Sequence, residues 1–361
     1  MIEPAKTLHL TVLAGDGIGP EVTRAALNVL TAALPAAGVE LVTTEQQIGG
    51  VALEETGNPL PAPSLQSARG ADAVLLGAVG GPEWDRAPVR PEAGLLRLRS
   101  GVGAFANLRP VRSWPGLVSH SPLRGELLRG VDILFIRELT GGIYFGKPKG
   151  ISGNSPHRHA VDTSEYGEAE VRRTAEVAFQ AARGRRSKVT SVDKANVLAT
   201  SQLWREVITE VGGKFPDVAL EHFLVDSFAL RLLQRPGEFD VVVTENLFGD
   251  ILTDEAAALS GSLGVLPSAS GGGEGPWLYE PVHGSAPDLA GRGIANPIGA
   301  ILTIALLLRL TLQLDQLAGV VERAVEAVIA EGRLTPDLGG HESTDSVTEA
   351  VIGRLAVGAK A

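Results

Sequence analysis

Residues 9–21 read HLTVLAGDGIGPE, and the fold class follows from how this stretch is read. His9–Ala14 is an apolar run of strand type that enters the glycine turn GDGIGPE at 15–21. From Val22 to Leu34 the apolar residues recur with helical period, and Gly38 ends the unit. A strand, a tight turn and a helix make the opening unit of an α/β protein. The turn invites comparison with the dinucleotide fingerprint G-x-G-x-x-G. Its spacing is G-x-G-x-G instead, and Pro20 stands where the last glycine should fall. A P-loop is excluded as well, because Gly146–Lys147 is followed by Pro148 and Gly213–Lys214 by Phe215. The class is therefore α/β, and the spacing of this turn disfavours both a Rossmann domain and a P-loop NTPase.

The alternation continues outward from this unit. Ala73–Leu76 reads as a strand before a second glycine turn, GAVGGPEWD at 77–85. Further strands are expected near Asp132–Ile136, Lys188–Val192 and Asp240–Thr244, with helices over Val171–Arg183 and Ala199–Val211. The longest apolar run, Ile298–Leu308, is too short to span a bilayer and reads as a buried helix. Ser268–Pro276 (SASGGGEGP) reads as the most flexible loop, and Val320–Ile329 as a closing helix.

The chain has 361 residues, a formal charge of −10, no cysteine and 44% hydrophobic residues. That length suits two domains or one large α/β unit. The acidic balance argues against nucleic acid as a partner. Without cysteine there is no disulfide, thiolate metal site or cysteine nucleophile. The N-terminal stretch lacks a secretory pattern, so a soluble, cytoplasmic protein is expected.

Several motifs carry candidate chemistry. In ENLFGDILTD (245–254), Asp250 and Asp254 stand at i and i+4. On a helix both carboxylates share one face, which suits Mg²⁺ or Mn²⁺, although a solvated acidic face reads the same way. Three arginines lie in separate motifs, Arg99 in GLLRLRS, Arg109 in FANLRPV and Arg137 in FIRELTGG. Guanidinium is the group for bidentate carboxylate recognition, and three converging ones imply a substrate with at least two carboxylates. Tyr144 follows in TGGIYFG and Lys194 in SVDKANVL. Such side chains act as proton acid and base when shielded from water, and otherwise as a core aromatic and a surface charge. Asp226 interrupts the apolar stretch FLVDSFA, where it either caps a helix or needs a cation. Lastly, YEPVHGSAPDLAGRGIANP (279–297) offers a stacking ring, open backbone amides and an acid that suits a ribose diol and repels a 2′-phosphate.

Taken together and in this order, GDGIGPE, GLLRLR, FANLRP, RELTGGIYFG, VDKANVL, NLFGDILTD and HGSAPDLAGRGIANP resemble the isocitrate/isopropylmalate dehydrogenase family of β-decarboxylating dehydrogenases. The likeness runs from residue 15 to the expected closing helix. It implies the family's own two-domain α/β fold with central mixed sheets, not a Rossmann fold. Residues 1–104 plus 262–361 would form the first domain, on the NAD side, and 105–261 the second, with the active site in the cleft and a homodimer sharing its sites.

The resemblance also implies residue roles. Arg99, Arg109 and Arg137 would hold the substrate carboxylates. Asp226, Asp250 and Asp254 would bind Mg²⁺ or Mn²⁺. Lys194, with Asp226, would take the hydroxyl proton, and Tyr144 would protonate the carbon after CO₂ loss. NAD would contact Gly80, Gly81, Pro82, Glu83, Trp84 and Asp85 at its nicotinamide end. Glu280 would also contact it, and His283, Gly284, Ser285, Ala286, Pro287, Asp288, Leu289 and Asn296 would lie at its adenosine end. Glu92, Leu95, Leu96 and Val197 would face the side chain at C3 of the substrate. Those aliphatic groups suit an isopropyl group, and Glu92 would repel a third carboxylate. The implied reaction is NAD-dependent oxidative decarboxylation of (2R,3S)-3-isopropylmalate to 4-methyl-2-oxopentanoate in leucine biosynthesis. The alternatives are homoisocitrate, D-malate or tartrate, or isocitrate as substrate, and a regulatory subunit without catalysis. No nucleic acid or membrane partner is implied.

Overall fold

The computed structural model describes residues 6–358, which divide into two compact units. Unit 1 comprises the described residues up to Ala104, Ser113–Pro122 and those from Ser260 onward; unit 2 comprises Phe105–Arg112 and Leu123–Leu259. Strands and helices are numbered in chain order.

Unit 1 holds strands β1 (Lys6–Gly15), β2 (Val39–Glu45), β3 (Ala73–Ala78), β11 (Pro267–Gly271) and β12 (Trp277–Pro281). Its helices are α1 (Gly19–Ala33), α2 (Gly50–Thr56), α3 (Ala62–Gly70), α4 (Glu92–Gly101), α10 (Ile298–Leu310), α11 (Asp315–Ala330) and α12 (Thr344–Gly358). Its strands run β2-β1-β3-β12-β11, parallel except for the β11–β12 pair. β3 (AVLLGA) is buried along its whole length, as a parallel strand covered on both faces must be. α10 is apolar nearly all round and is correspondingly buried.

The opening turn shows why the dinucleotide fingerprint is absent. Gly15 and Gly17 have φ of +72° and +56°. A Cβ on Gly17 would lie 2.0 Å from the carbonyl oxygen of Ser285. The turn's amides are already used, Asp16 N on Ala78 O and Ile18 N on Ser285 O, each at 2.8 Å. These glycines let the chain pack against itself, and the amides that would cradle a pyrophosphate are spent.

Three expectations are corrected here. Ser268–Pro276 is not a loop throughout. Pro267–Gly271 is the buried strand β11, in register with β12 from Pro267↔Pro281 to Ser270↔Leu278. Its side chains are small because the neighbours are close: a Cβ on Gly271 would come within 2.4 Å of the Trp277 ring. Val320–Ile329 lies within α11, but α12 follows it and closes the described chain. Residues 113–122, read from sequence with the middle segment, cluster with unit 1. Gly116 packs there against Ile329 of α11, with Cγ2 2.8 Å from where a Cβ would stand.

Unit 2 holds β4 (Ala106–Arg112), β5 (Asp132–Glu138), β8 (Lys188–Asp193), β9 (Ala219–Leu224) and β10 (Val241–Thr244), with a separate antiparallel pair, β6 (Gly150–Ser152) and β7 (His159–Val161). The main strands run β4-β5-β10-β8-β9, parallel apart from β4–β5. Its helices are α5 (Gly125–Leu128), α6 (Glu168–Arg183), α7 (Ala199–Gly212), α8 (Val225–Gln234) and α9 (Asn246–Ser260). Phe135, Phe223, Phe228 and Phe239 meet by edges and tilts with centroids 4.8–6.4 Å apart and close the core beneath β5 and α8. No helix among the described residues is long and apolar enough to cross a membrane.

Candidate active site

Unit 2 gathers most of the candidate polar residues. On β4, Asn107 and Arg109 are two apart and share one sheet face, and the register sets Asn107 opposite Arg137 of β5. Both arginines are buried. Arg109 donates through Nε to Asn107 Oδ1 at 2.7 Å and through Nη1 to Thr253 Oγ1 at 2.6 Å. Arg137 donates through Nε and Nη2 to Asn246 Oδ1, at 3.0 and 2.8 Å, and through Nη1 to Asp250 Oδ1.

NLFGDILTD (246–254) forms the start of α9, so Asp250 and Asp254 project one turn apart. Arg109 lies 3.8 Å from Asp250 and 3.7 Å from Asp254. Lost hydration pushes the Asp254 carboxyl above its usual range; Arg109 opposes this and the charge on Asp250 adds to it. Tyr144 donates to Asp250 Oδ2 at 2.8 Å. Burial, then that bond to Asp250, pushes the phenol up to about 12, so it keeps its proton at neutral pH.

Lys194 and Asp226 form a second group. Lys194 follows β8 in a turn held by Asp193, whose carboxylate accepts from Ala195 N at 2.9 Å and from Arg205 through Nε and Nη2, both at 2.8 Å. Its Nζ lies 2.5 Å from Asp226 Oδ1. Asp226 sits in the first turn of α8, and the Lys194 hydrogen bond holds its carboxyl below the usual range. Asp226 does not cap that helix with its side chain; Leu224 is the cap residue, without a side-chain bond. Val197, in the same turn as Lys194, is 66% exposed.

Among the described residues no three His, Cys, Asp or Glu side chains come close enough to hold a metal. Asp226, Asp250 and Asp254 therefore do not form one metal-holding cluster within a single chain. The donors otherwise suit a hard dication: they are all carboxylate oxygens, two of them one helical turn apart.

In unit 1, Glu92, Leu95, Leu96 and Arg99 fall at i, i+3, i+4 and i+7 of α4, one face of the helix. Arg99 donates to Glu280 Oε1 at 2.6 Å, so this candidate substrate ligand and candidate cofactor residue are a pair here. The turn at Gly80–Asp85 is fixed by Asp16, whose buried carboxylate accepts from Gly80 N (2.7 Å), Gly50 N (2.8 Å) and Val51 N (2.9 Å). Burial raises its pKa and those three bonds oppose the rise. Trp84 packs flat on Gly50, with ring carbons 2.1–2.3 Å from where a Cβ would be.

Along 280–296, Asp288 and Pro287 are exposed on a short turn after Ala286, which has φ of +37°. His283 gives its Nδ1 proton to Gly284 O at 3.0 Å, and its Nε2 is buried without a hydrogen-bond partner. Burial lowers the His283 pKa, leaving a neutral ring and an unused acceptor, which fits a nucleotide base. Asn296 is engaged by the protein itself, donating to Asp337 Oδ2 and accepting from Ile298 N, both at 3.0 Å.

Sequence reasoning missed Asp16 and Asn246. Asp16 is visible only as the acid inside a glycine turn, and Asn246 only as the residue opening the acid-pair helix.

The isocitrate/isopropylmalate dehydrogenase family model matches residues 9–351. A 3-isopropylmalate dehydrogenase of Anaeromyxobacter dehalogenans is 58% identical over 96% of this chain and 99% of its own length. One from Rhodopirellula baltica is 52% identical over 96% and 98%. Among solved structures, an isocitrate dehydrogenase from Methylococcus capsulatus superposes with a TM-score of 0.87 at 35% identity, over 96% of this chain and 99% of that one. A β-decarboxylating dehydrogenase from Thermococcus kodakarensis gives 0.79 at 36%, over 97% and 96%. With these matches spanning both units, the chain belongs to the isocitrate/isopropylmalate dehydrogenase family.

Proposed function

We propose that the protein is an NAD-dependent 3-isopropylmalate dehydrogenase, which oxidises its substrate at C2 and removes the β-carboxylate as CO₂, a step of leucine biosynthesis in the cytoplasm. The observation that carries the reaction is the gathering of Arg109, Arg137, Tyr144, Asp250 and Asp254 in unit 2. Identity of 58% to a protein of that activity, against 35% to an isocitrate dehydrogenase, favours the substrate. So does the α4 face, where Leu95 and Leu96 suit an isopropyl group and Glu92 opposes a third carboxylate.

In this reading the guanidiniums of Arg99, Arg109 and Arg137 take the two malate carboxylates. Lys194 accepts the C2 hydroxyl proton, and Asp226 balances the charge it gains. Tyr144, still protonated at neutral pH, returns a proton to carbon after CO₂ leaves. Asp250 and Asp254, with the partner's Asp226, would hold Mg²⁺ or Mn²⁺. When bound, the dication supplies Lewis-acid stabilisation of negative charge on oxygen and NAD⁺ supplies the hydride acceptor. The loop at 80–85 would take the nicotinamide end, and 280–296 the adenosine end.

A homodimer with shared sites accounts for two observations. Asp226, Asp250 and Asp254 form no metal-holding cluster among the described residues of one chain. Unit 2 also carries large apolar side chains in water, Ile151 at 75%, Leu230 at 60% and Ile251 at 59% exposed, on β6, α8 and α9.

The test is NADH formation with 3-isopropylmalate, isocitrate, homoisocitrate and D-malate, with and without EDTA. The expected kcat/KM for isopropylmalate exceeds each of the others by about a hundred-fold or more, and EDTA abolishes turnover. Preference for isocitrate or homoisocitrate would refute the substrate. The exposed Asp288 gives a second prediction. Asp288→Lys with Leu289→Tyr should lower kcat/KM for NAD⁺ and raise it for NADP⁺, shifting their ratio by about ten-fold or more, because the lysine attracts the 2′-phosphate that the acid repels. An unchanged ratio would count against this loop as the adenosine site.

A further inference from the structure

We infer that Asn246 is a positioning residue that sets the plane of the Arg137 guanidinium while leaving its charge uncancelled. This rests on the reading of Arg137 as a ligand for a substrate carboxylate. Arg137 leaves β5 with its side chain 4% exposed, and Nε and Nη2 both donate to the single oxygen Asn246 Oδ1. Asn246 is 1% exposed and is tied at both ends. Its Nδ2 donates to Gly141 O at 3.3 Å, and its backbone N donates to Tyr166 Oη at 2.9 Å. Tyr166 Oη in turn donates to Glu245 Oε2 at 3.2 Å, and its ring meets Trp204 edge-on at 5.7 Å. Gly249, one turn into α9, leaves room for the arginine stem: a Cβ there would lie 2.7 Å from Arg137 Cγ.

The choice of an amide matters. A carboxylate is the usual partner for a buried guanidinium, and aspartate has nearly the shape of asparagine. An aspartate here would still offer the fork an oxygen but neutralise it, and its second oxygen would face Gly141 O where the amide now donates. The neutral Oδ1 orients without neutralising. On its Nη1 side Arg137 meets Asp250, which the proposed site assigns to the metal. With Asp250 so engaged, the charge of Arg137 stays available to a substrate carboxylate.

The experiment compares Asn246→Asp with wild type and with Arg137→Gln as reference. Asn246→Asp is expected to raise KM for 3-isopropylmalate at least about ten-fold, with kcat changed less than KM and KM for NAD⁺ within about two-fold. Calorimetric binding of 3-isopropylmalate without NAD⁺ should weaken in parallel. A purely structural role would lower the melting temperature and leave both substrate constants alone. If Arg137→Gln raises KM while folded Asn246→Asp stays within two-fold of wild type, this inference falls and the reading of Arg137 stands. If wild type does not turn over 3-isopropylmalate, or Arg137→Gln leaves KM unchanged, both fall. Should Asn246→Asp fail to fold, Tyr166→Phe removes the acceptor for Asn246 N together with the bond to Glu245. It should raise the same KM a few-fold, and an unchanged KM overturns the inference.

Discussion

Lys194→Ala is expected to lower kcat by about a thousand-fold or more, since positioned general bases contribute 10²–10⁴. The Kd for NAD⁺ should stay within about two-fold, because the proposed role of Lys194 is at the substrate hydroxyl and the cofactor is assigned to the 80–85 and 280–296 loops. The local fold should survive. The turn that carries Lys194 is held by the buried Asp193 carboxylate and Arg205, and by Val197 N and Leu198 N donating to the Lys194 carbonyl, each at 3.0 Å. None of these uses the ammonium. The bond that is lost, to Asp226 at 2.5 Å, involves a carboxylate 64% exposed to water. Lys194→Arg separates two roles. Arginine restores the positive charge beside Asp226 but does not give up a proton near neutral pH. If Lys194 is the proton acceptor, the arginine variant should be nearly as inactive as alanine. Substantial activity in Lys194→Arg would reduce Lys194 to an electrostatic role, and wild-type kcat in Lys194→Ala would remove it from the mechanism.

The parts of this molecule legible in the sequence are those that follow from local chemistry. β3, β5, β8 and β10 are apolar runs, α6 and α7 have clear helical period, and α10 is continuously apolar. Asp250 and Asp254 could be placed on one face because four residues make about one turn. Other elements hide for physical reasons. β4 contains Asn107, Arg109, Pro110 and Arg112, polar and proline residues that mask a strand defined by its antiparallel pairing with β5. β11 is built of Ser, Ala and Gly because its packing space is small, and small residues look like a linker. The tasks of Asp16 lie 34 and 64 residues away at Gly50 and Gly80, and Asn246 reaches back 109 residues to Arg137. Such partners are set by topology, which periodicity does not encode.

Asp250→Asn is expected to abolish turnover, and the argument is one of charge. Without substrate, the carboxylates of Asp250 and Asp254 face the guanidiniums of Arg109 and Arg137. Substrate carboxylates that take up those guanidiniums leave two like charges one helical turn apart, and a dication relieves that repulsion. Metal and substrate should therefore favour each other's binding reciprocally. In wild type, Mn²⁺ affinity measured by magnetic resonance should rise by about five-fold or more when 3-isopropylmalate is added. In Asp250→Asn that gain should vanish along with turnover, while NAD⁺ binding persists. Equal Mn²⁺ affinity with and without substrate in wild type would refute the coupling. The same variant tests the shared site. Lys194→Ala and Asp250→Asn should each be inactive alone. If Lys194 serves the partner's site, a mixed dimer concentrates both defects in one site and leaves the other intact. Random reassortment makes about half the dimers mixed, so about a quarter of wild-type activity should return. A mixture that stays inactive after proven subunit exchange would place Lys194 and Asp250 in the same chain's site.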